Sequence, residues 1–121
     1  MFKEPLVSII INCFNGEKYL KNAIDSVIAQ TYKNWEIIFW DNQSNDESAK
    51  IFKEYKDNRL KYYYSSSHIK ILYKAKNQAL EKAKGEFIAF LDVDDWWLPE
   101  KLERQIPLFK DPNVGVAYGN L

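Results

Sequence analysis

A chain of 121 residues, 46% apolar and 16% aromatic, is the size of one ordinary domain and can bury a core. Seventeen Lys plus Arg balance seventeen Asp plus Glu, so no summed field recommends nucleic acid or an acidic membrane as partner, and any anion binding must be local. Cys13 is the only cysteine, which excludes an internal disulfide and a cysteine-built zinc site and suits a reducing compartment.

Residues 1–5 carry Lys3 and Glu4, and the apolar run behind them is too brief for a signal segment or a membrane span. No bilayer crossing is expected, and the expected location is cytoplasmic, including the inner face of the cell membrane. Residues 6–11 form a β-branched apolar run without alternation, the pattern of a strand buried on both faces of a parallel sheet. It ends in the turn-rich Asn12-Cys13-Phe14-Asn15-Gly16. From Glu17 the period changes: Leu20, Ala23, Ile24, Val27 and Ile28 fall at helical spacing, which predicts an amphipathic helix ending near Gln30.

Residues 35–40 read as a second buried strand running into the polar stretch 41–46, and a helix carrying Ala49, Ile51, Phe52 and Tyr55 follows. Residues 60–64 predict a third strand, 65–68 a loop, and about 71–84 a helix that Gly85 stops. A fourth strand over 87–91 leads into Asp92-Val93-Asp94-Asp95, and Pro99 sits where the first turn of the next helix belongs. Residues 114–118 read as a fifth strand. Alternating strands and helices at this spacing imply βαβ units, so the fold class is α/β, a mainly parallel sheet flanked by helices. Residues 1–121 are expected to form one unit.

In open parallel sheets ligands collect beyond the carboxyl ends of the strands. Polar clusters lie at those ends: Asn12 to Asn15, Asp41 to Asp46, Ser65 to His68, and Asp92 to Asp95. The last is the sharpest, because three carboxylates in four residues repel one another and call for a cation, basic partners or solvent. Hard oxygen ligands of this kind suit Mg²⁺ or Mn²⁺. The plain alternative is a solvated loop in which Asp94 or Asp95 caps the following helix.

The whole chain resembles the amino-terminal nucleotide-binding region of family-two inverting glycosyltransferases with the glycosyltransferase-A fold, a Rossmann-like half. The likeness rests on residues 7–16, 26–32, 35–46, 74–80 and 85–95, with Trp96-Trp97-Leu98-Pro99-Glu100-Lys101-Leu102 completing it. The resemblance implies transfer of a sugar from a nucleotide diphosphate donor, a UDP-sugar by first expectation, in cell-surface polysaccharide biosynthesis, with a glycan or lipid-linked acceptor. Cys13 and Phe14 would flank the nucleobase, where the family usually has Thr or Ser followed by Tyr, with Asn15 beside them. Asp41 and Asn42 match the loop whose acid reads the uracil edge. Asp92, Asp94 and Asp95 match the metal motif, with Asp94 and Asp95 closest to the Mn²⁺ or Mg²⁺ and Asp92 and Asp94 on the nucleotide. Lys76 stands where the family frequently has Arg, so a point charge replaces a bidentate contact to phosphate, and Lys74 is the alternative partner. His68 is assigned no role, and Trp96 and Trp97 are expected to serve the core.

An inverting transferase needs a carboxylate base to deprotonate the acceptor hydroxyl. In the family it comes from beyond the fifth strand, so base and acceptor surface are expected past Leu121 and the chain is expected to be cut before its acceptor-binding half. Three rivals are weighed. A receiver-like signalling domain needs its acid pair after the first strand, where Asn12-Cys13-Phe14-Asn15 stands. A dinucleotide-binding oxidoreductase needs a glycine-rich cradle, and Gly16 is the only glycine near the first turn. A non-catalytic interaction domain stays open until metal-dependent nucleotide binding is tested.

Overall fold

The computed structural model describes residues 4–117. Four strands, β1 (Val7–Cys13), β2 (Trp35–Asp41), β3 (Leu60–Tyr64) and β4 (Phe87–Phe90), form one sheet in the order β3-β2-β1-β4, with every pair parallel. Helices α1 (Leu20–Ile28), α2 (Ser48–Lys53), α3 (Leu72–Leu80) and α4 (Lys101–Gln105) connect and follow them, and a 3-10 turn covers Ile106–Lys110. No helix among the described residues is long and apolar enough to cross a membrane.

The uninterrupted apolar runs of β1 and β2 have a simple cause: both faces of these central strands are covered. Odd-numbered Val7, Ile9, Ile11, Trp35, Ile37 and Phe39 pack with Leu20, Ala23, Ile24 and Val27 of α1, Phe52 of α2 and Leu102 of α4. Even-numbered Ile10, Ile38 and Trp40 pack with Ala75 and Ala79 of α3 on the other face. Each large aliphatic side chain so enclosed contributes roughly 1.5–3 kcal/mol of transfer free energy, which sets the strand register against slippage by one residue.

Two polar devices tie the crossovers down. Ser8 is buried; its hydroxyl donates to Glu36 Oε2 at 2.6 Å and accepts the Gly85 N–H at 2.8 Å, while the Lys84 N–H donates to the same carboxylate oxygen at 2.8 Å. That capture explains why α3 closes at Leu80, short of the predicted 84: the strands take the Lys84 and Gly85 amides away from a continuing helix. On the far side of the sheet's end, the Gln30 amide donates to Leu98 O at 2.7 Å and accepts the Leu102 N–H at 3.1 Å, pinning the start of α4 to the end of α1. The helix predicted to hold Pro99 in its first turn starts at Lys101, and Pro107 turns its continuation into the 3-10 segment. Residues 114–117 of the predicted fifth strand make no ladder, and Tyr118 lies outside the described residues.

Order and direction place the site. The chain steps outward from β1 to β2 to β3, then crosses back to put β4 on the other side of β1. The strand order therefore reverses between β1 and β4, and loops leaving their carboxyl ends diverge to leave a crevice.

Candidate functional site

The loops after β1 and β2 are one hydrogen-bonded rim. The Asn15 N–H donates to Ser44 Oγ at 2.9 Å, Gly16 N–H to Ser48 Oγ at 3.0 Å, and Glu17 N–H to Asp46 Oδ2 at 3.1 Å. In return Asn15 Oδ1 accepts the Asn45 N–H at 2.8 Å and Glu17 Oε2 accepts the Glu47 N–H at 3.0 Å. Asn15 and Gln43 hold φ of 51° and 61°, the left-handed conformation that Asn tolerates best among residues with a Cβ. These bonds join residues about thirty apart, so each loop is rigid only because the other is present.

Asp41 is fully buried, with Oδ1 accepting the Ser44 N–H at 2.8 Å and Oδ2 accepting the Tyr62 hydroxyl. Burial first, and the Asp41 carboxylate next, push the Tyr62 hydroxyl above the ordinary phenol range, so it stays a donor. Asn42 is buried too: its amide donates to Ile69 O at 2.7 Å and accepts the Ile69 N–H at 2.8 Å, fixing the segment after β3 like one rung of a ladder. Both residues of the sequence-derived base-reading pair thus sit at the mouth but hold its wall together through intramolecular bonds.

Cys13 and Phe14 part company. The Cys13 thiol lies in the core beneath the rim, and burial raises it above its ordinary range. Phe14 is exposed, with its ring 4.5 Å from the His68 ring at 56°. His68, to which the sequence lent no role, is held there by Nδ1 3.1 Å from Asn42 O. The only local signal for it was its place in a polar loop after a strand.

The acidic loop follows β4 at the reversal of strand order. Leu91 is buried, and its N–H extends the ladder to Ile10 O at 3.0 Å, while Asp92, Asp94 and Asp95 are exposed. A tight turn closes through the Asp95 N–H to Asp92 O at 2.9 Å, and Asp95 Oδ1 accepts the Trp96 N–H at 2.8 Å. Among the described residues no hydrogen bond or ion pair takes the Asp92 or Asp94 carboxylate. Burial lowers the Lys101 ammonium while the nearby Asp95 carboxylate pulls the other way. The two tryptophans divide: Trp97 is core, and Trp96 is exposed.

No group of three or more His, Cys, Asp or Glu side chains among the described residues gathers into a protein-only metal cage. The donor set still fits a hard divalent cation. Mg²⁺ and ions like it take one or two carboxylates and complete their shell with phosphate oxygens and water, and a carboxylate oxygen that takes no hydrogen bond among the described residues, such as Asp95 Oδ2, stays available to them. The Asp94 carboxylate is open in that sense.

Lys76 is carried by α3 over the exposed ring of Phe90, with Nζ 5.1 Å from its centroid, two residues before Asp92. That brings a cation to the rim of the acidic loop. Lys74 is exposed on the same helix. The loops of β1 and β4 come together at Gly16 and Val93, where a Cβ on Gly16 would collide with the Val93 side chain.

Residues 8–121 match the family model described as glycosyl transferase family 2. The chain is 42% identical over 115 residues to the Escherichia coli UDP-Glc:alpha-D-GlcNAc-diphosphoundecaprenol beta-1,3-glucosyltransferase WfgD, covering 95% of this chain and 45% of that protein. It is 33% identical over 117 residues to the putative teichuronic acid biosynthesis glycosyltransferase TuaG of Bacillus subtilis, covering 95% and 46%. The chain therefore spans about half the length of these relatives. Among solved structures, S. aureus TarS 1-349 in complex with UDP-GlcNAc superposes with a TM-score of 0.78 at 30% identity, over 88% of this chain and 31% of that one. A mannosyltransferase from Pyrobaculum calidifontis in complex with GDP-Man and Mn2+ gives 0.85 at 23% identity, over 93% and 34%, a likeness of fold.

Proposed function

The chain belongs to glycosyl transferase family 2, with a Rossmann-like sheet of the glycosyltransferase-A type, and we propose that it is the donor-binding portion of a metal-dependent glycosyltransferase. The reaction is transfer of a sugar from a nucleoside diphosphate, a UDP-sugar first, to an acceptor hydroxyl with inversion. The observation that carries this reading is the meeting of three unlike groups at one end of the sheet: open acidic side chains after β4, an exposed aromatic ring at Phe14, and the Lys76 ammonium over Phe90.

In this arrangement the nucleoside end lies against Phe14, on a loop that Cys13 anchors from beneath and Asn15 staples to β2's loop. Asp41 and Asn42 shape the adjoining wall. Asp92 and Asp94 face the nucleotide, and Asp94 and Asp95 take the Mn²⁺ or Mg²⁺. A divalent ion bound there supplies Lewis-acid neutralisation of the charge that develops on the leaving diphosphate. Lys76, with Lys74 as the second candidate, adds a point charge toward the same phosphates. No residue of this chain is assigned as the base that deprotonates the acceptor hydroxyl.

The E. coli relative is named for a lipid-linked diphosphoundecaprenol acceptor. By that likeness we propose a glycan or lipid-linked acceptor for the whole protein, with the reaction at the cytoplasmic face of the membrane in surface polysaccharide synthesis. Calorimetric titration of the chain with UDP, with and without Mn²⁺, tests the donor reading: binding that requires Mn²⁺ is expected, and failure of every nucleoside diphosphate to bind the folded chain with Mn²⁺ present contradicts it.

A further inference from the structure

His68 is the one histidine, and the donor site as built from sequence makes no use of it. Five hydrogen bonds, one at its own ring and four at the residues that flank it, remove its freedom. Its Nδ1 lies 3.1 Å from Asn42 O, and a carbonyl oxygen only accepts, so Nδ1 carries the hydrogen. The next residue, Ile69, is held at both backbone groups by the Asn42 amide. On the other side Ser65 is tied to β2 through its N–H to Asp41 O at 2.9 Å, and its hydroxyl donates to Ser67 O. The imidazole is therefore a fixed group beside the exposed Phe14 ring, 4.5 Å away.

Fixing Nδ1 as the donor decides the chemistry of the other nitrogen. In the neutral ring Nε2 is an acceptor, and no hydrogen bond among the described residues takes it. We propose that His68 is a specificity-determining residue of the donor site: a base laid on Phe14 presents its edge to Nε2, which accepts a ring N–H. The class of base follows. Uracil and guanine carry a ring N–H beside a carbonyl, whereas cytosine and adenine carry a bare ring nitrogen there, which would meet Nε2 lone pair to lone pair. The assignment rests on the mouth being a nucleoside diphosphate site.

UDP, GDP, CDP and ADP titrated into the chain at pH 8 with Mn²⁺ test it, alongside His68→Ala and His68→Phe, the second keeping a ring against Phe14 without an acceptor. The better of UDP and GDP is expected to bind roughly tenfold more tightly than CDP or ADP, the scale of one unmatched hydrogen bond. In both variants the preference should collapse to within about twofold, a change under half a kilocalorie, with CDP and ADP affinities retained. Equal weakening of all four nucleotides, or a preference that survives in His68→Phe, overturns the assignment while leaving the donor site standing. Absence of binding by all four removes the donor reading and this assignment together.

Discussion

A Cβ placed on Gly16 would stand 2.6 Å from Cγ2 of Val93 and 3.0 Å from Cγ1, with the Cys13 sulfur 3.2 Å away. The loops of β1 and β4 thus touch where one of them has no side chain. Val93 is β-branched, so it cannot swing aside cheaply, and it sits between Asp92 and Asp94. Gly16→Ala is expected to move that loop and abolish metal-dependent nucleotide binding, at a stability cost of about 1–3 kcal/mol from overpacking. The double variant with Val93→Ala makes room again and should recover both. Urea unfolding and UDP titration on the unaltered chain and the two variants check this; full binding by the single variant would show that the contact does not govern the acidic loop.

The Ser8 hydroxyl joins β1, β2 and the entry to β4 in one buried knot. Ser8→Ala leaves the Gly85 N–H without its acceptor and the Glu36 carboxylate without one donor, for an expected loss of about 1–3 kcal/mol. Gly85→Ala should cost more, because its Cβ would lie 2.7 Å from Leu6 O and from Ser8 N, backbone atoms just before and within the start of β1 that cannot rotate away. Denaturation midpoints should fall in that order with unchanged urea dependence, since neither change alters the surface exposed on unfolding.

Acid should loosen the rim before it loosens the core. Burial alone would raise the Asp46 carboxyl, but hydrogen bonds from the Ser48 hydroxyl, Ser48 N–H and Glu17 N–H outweigh it and hold Asp46 below the usual carboxylate range. A depressed folded value means the unfolded chain binds the proton more readily, so this contribution is present above the ordinary Asp value of 3.8 and is lost as pH falls through the depressed one. Asp46→Asn should flatten the loss of stability below that value. Thermal unfolding from pH 6 down to pH 2.5 on both proteins measures it, and identical slopes would count against the role.

What sequence could and could not show follows from the range of the forces. The strands β1 and β2 were legible because enclosure on both faces leaves a composition mark on the strand itself, and Asp92 to Asp95 were legible because mutual repulsion within four residues demands an explanation. The end of α3 was not, since Glu36 and Ser8, far away in the chain, take the amides that local propensity would give to the helix. That the Asn42 amide is spent on the chain itself was hidden for the same reason: its partner, Ile69, is brought in by the parallel β2–β3 pairing. His68 beside Phe14 likewise needed two crossovers to exist, and no pattern near either residue announces it.

The claim on which the rest depends is that the Asp92 to Asp95 loop holds a divalent ion together with a nucleoside diphosphate. Electron paramagnetic resonance of Mn²⁺ measures it without any acceptor or turnover, because the six-line spectrum of the free aqueous ion fades as the ion binds. The signal should persist in part with the chain alone, fall strongly when UDP is added beyond what UDP causes by itself, and return to the UDP-only level in Asp94→Asn, Asp95→Asn with the fold intact by circular dichroism. A chain that removes no more Mn²⁺ than UDP does, or a double variant that removes as much as the unaltered chain, would contradict the account.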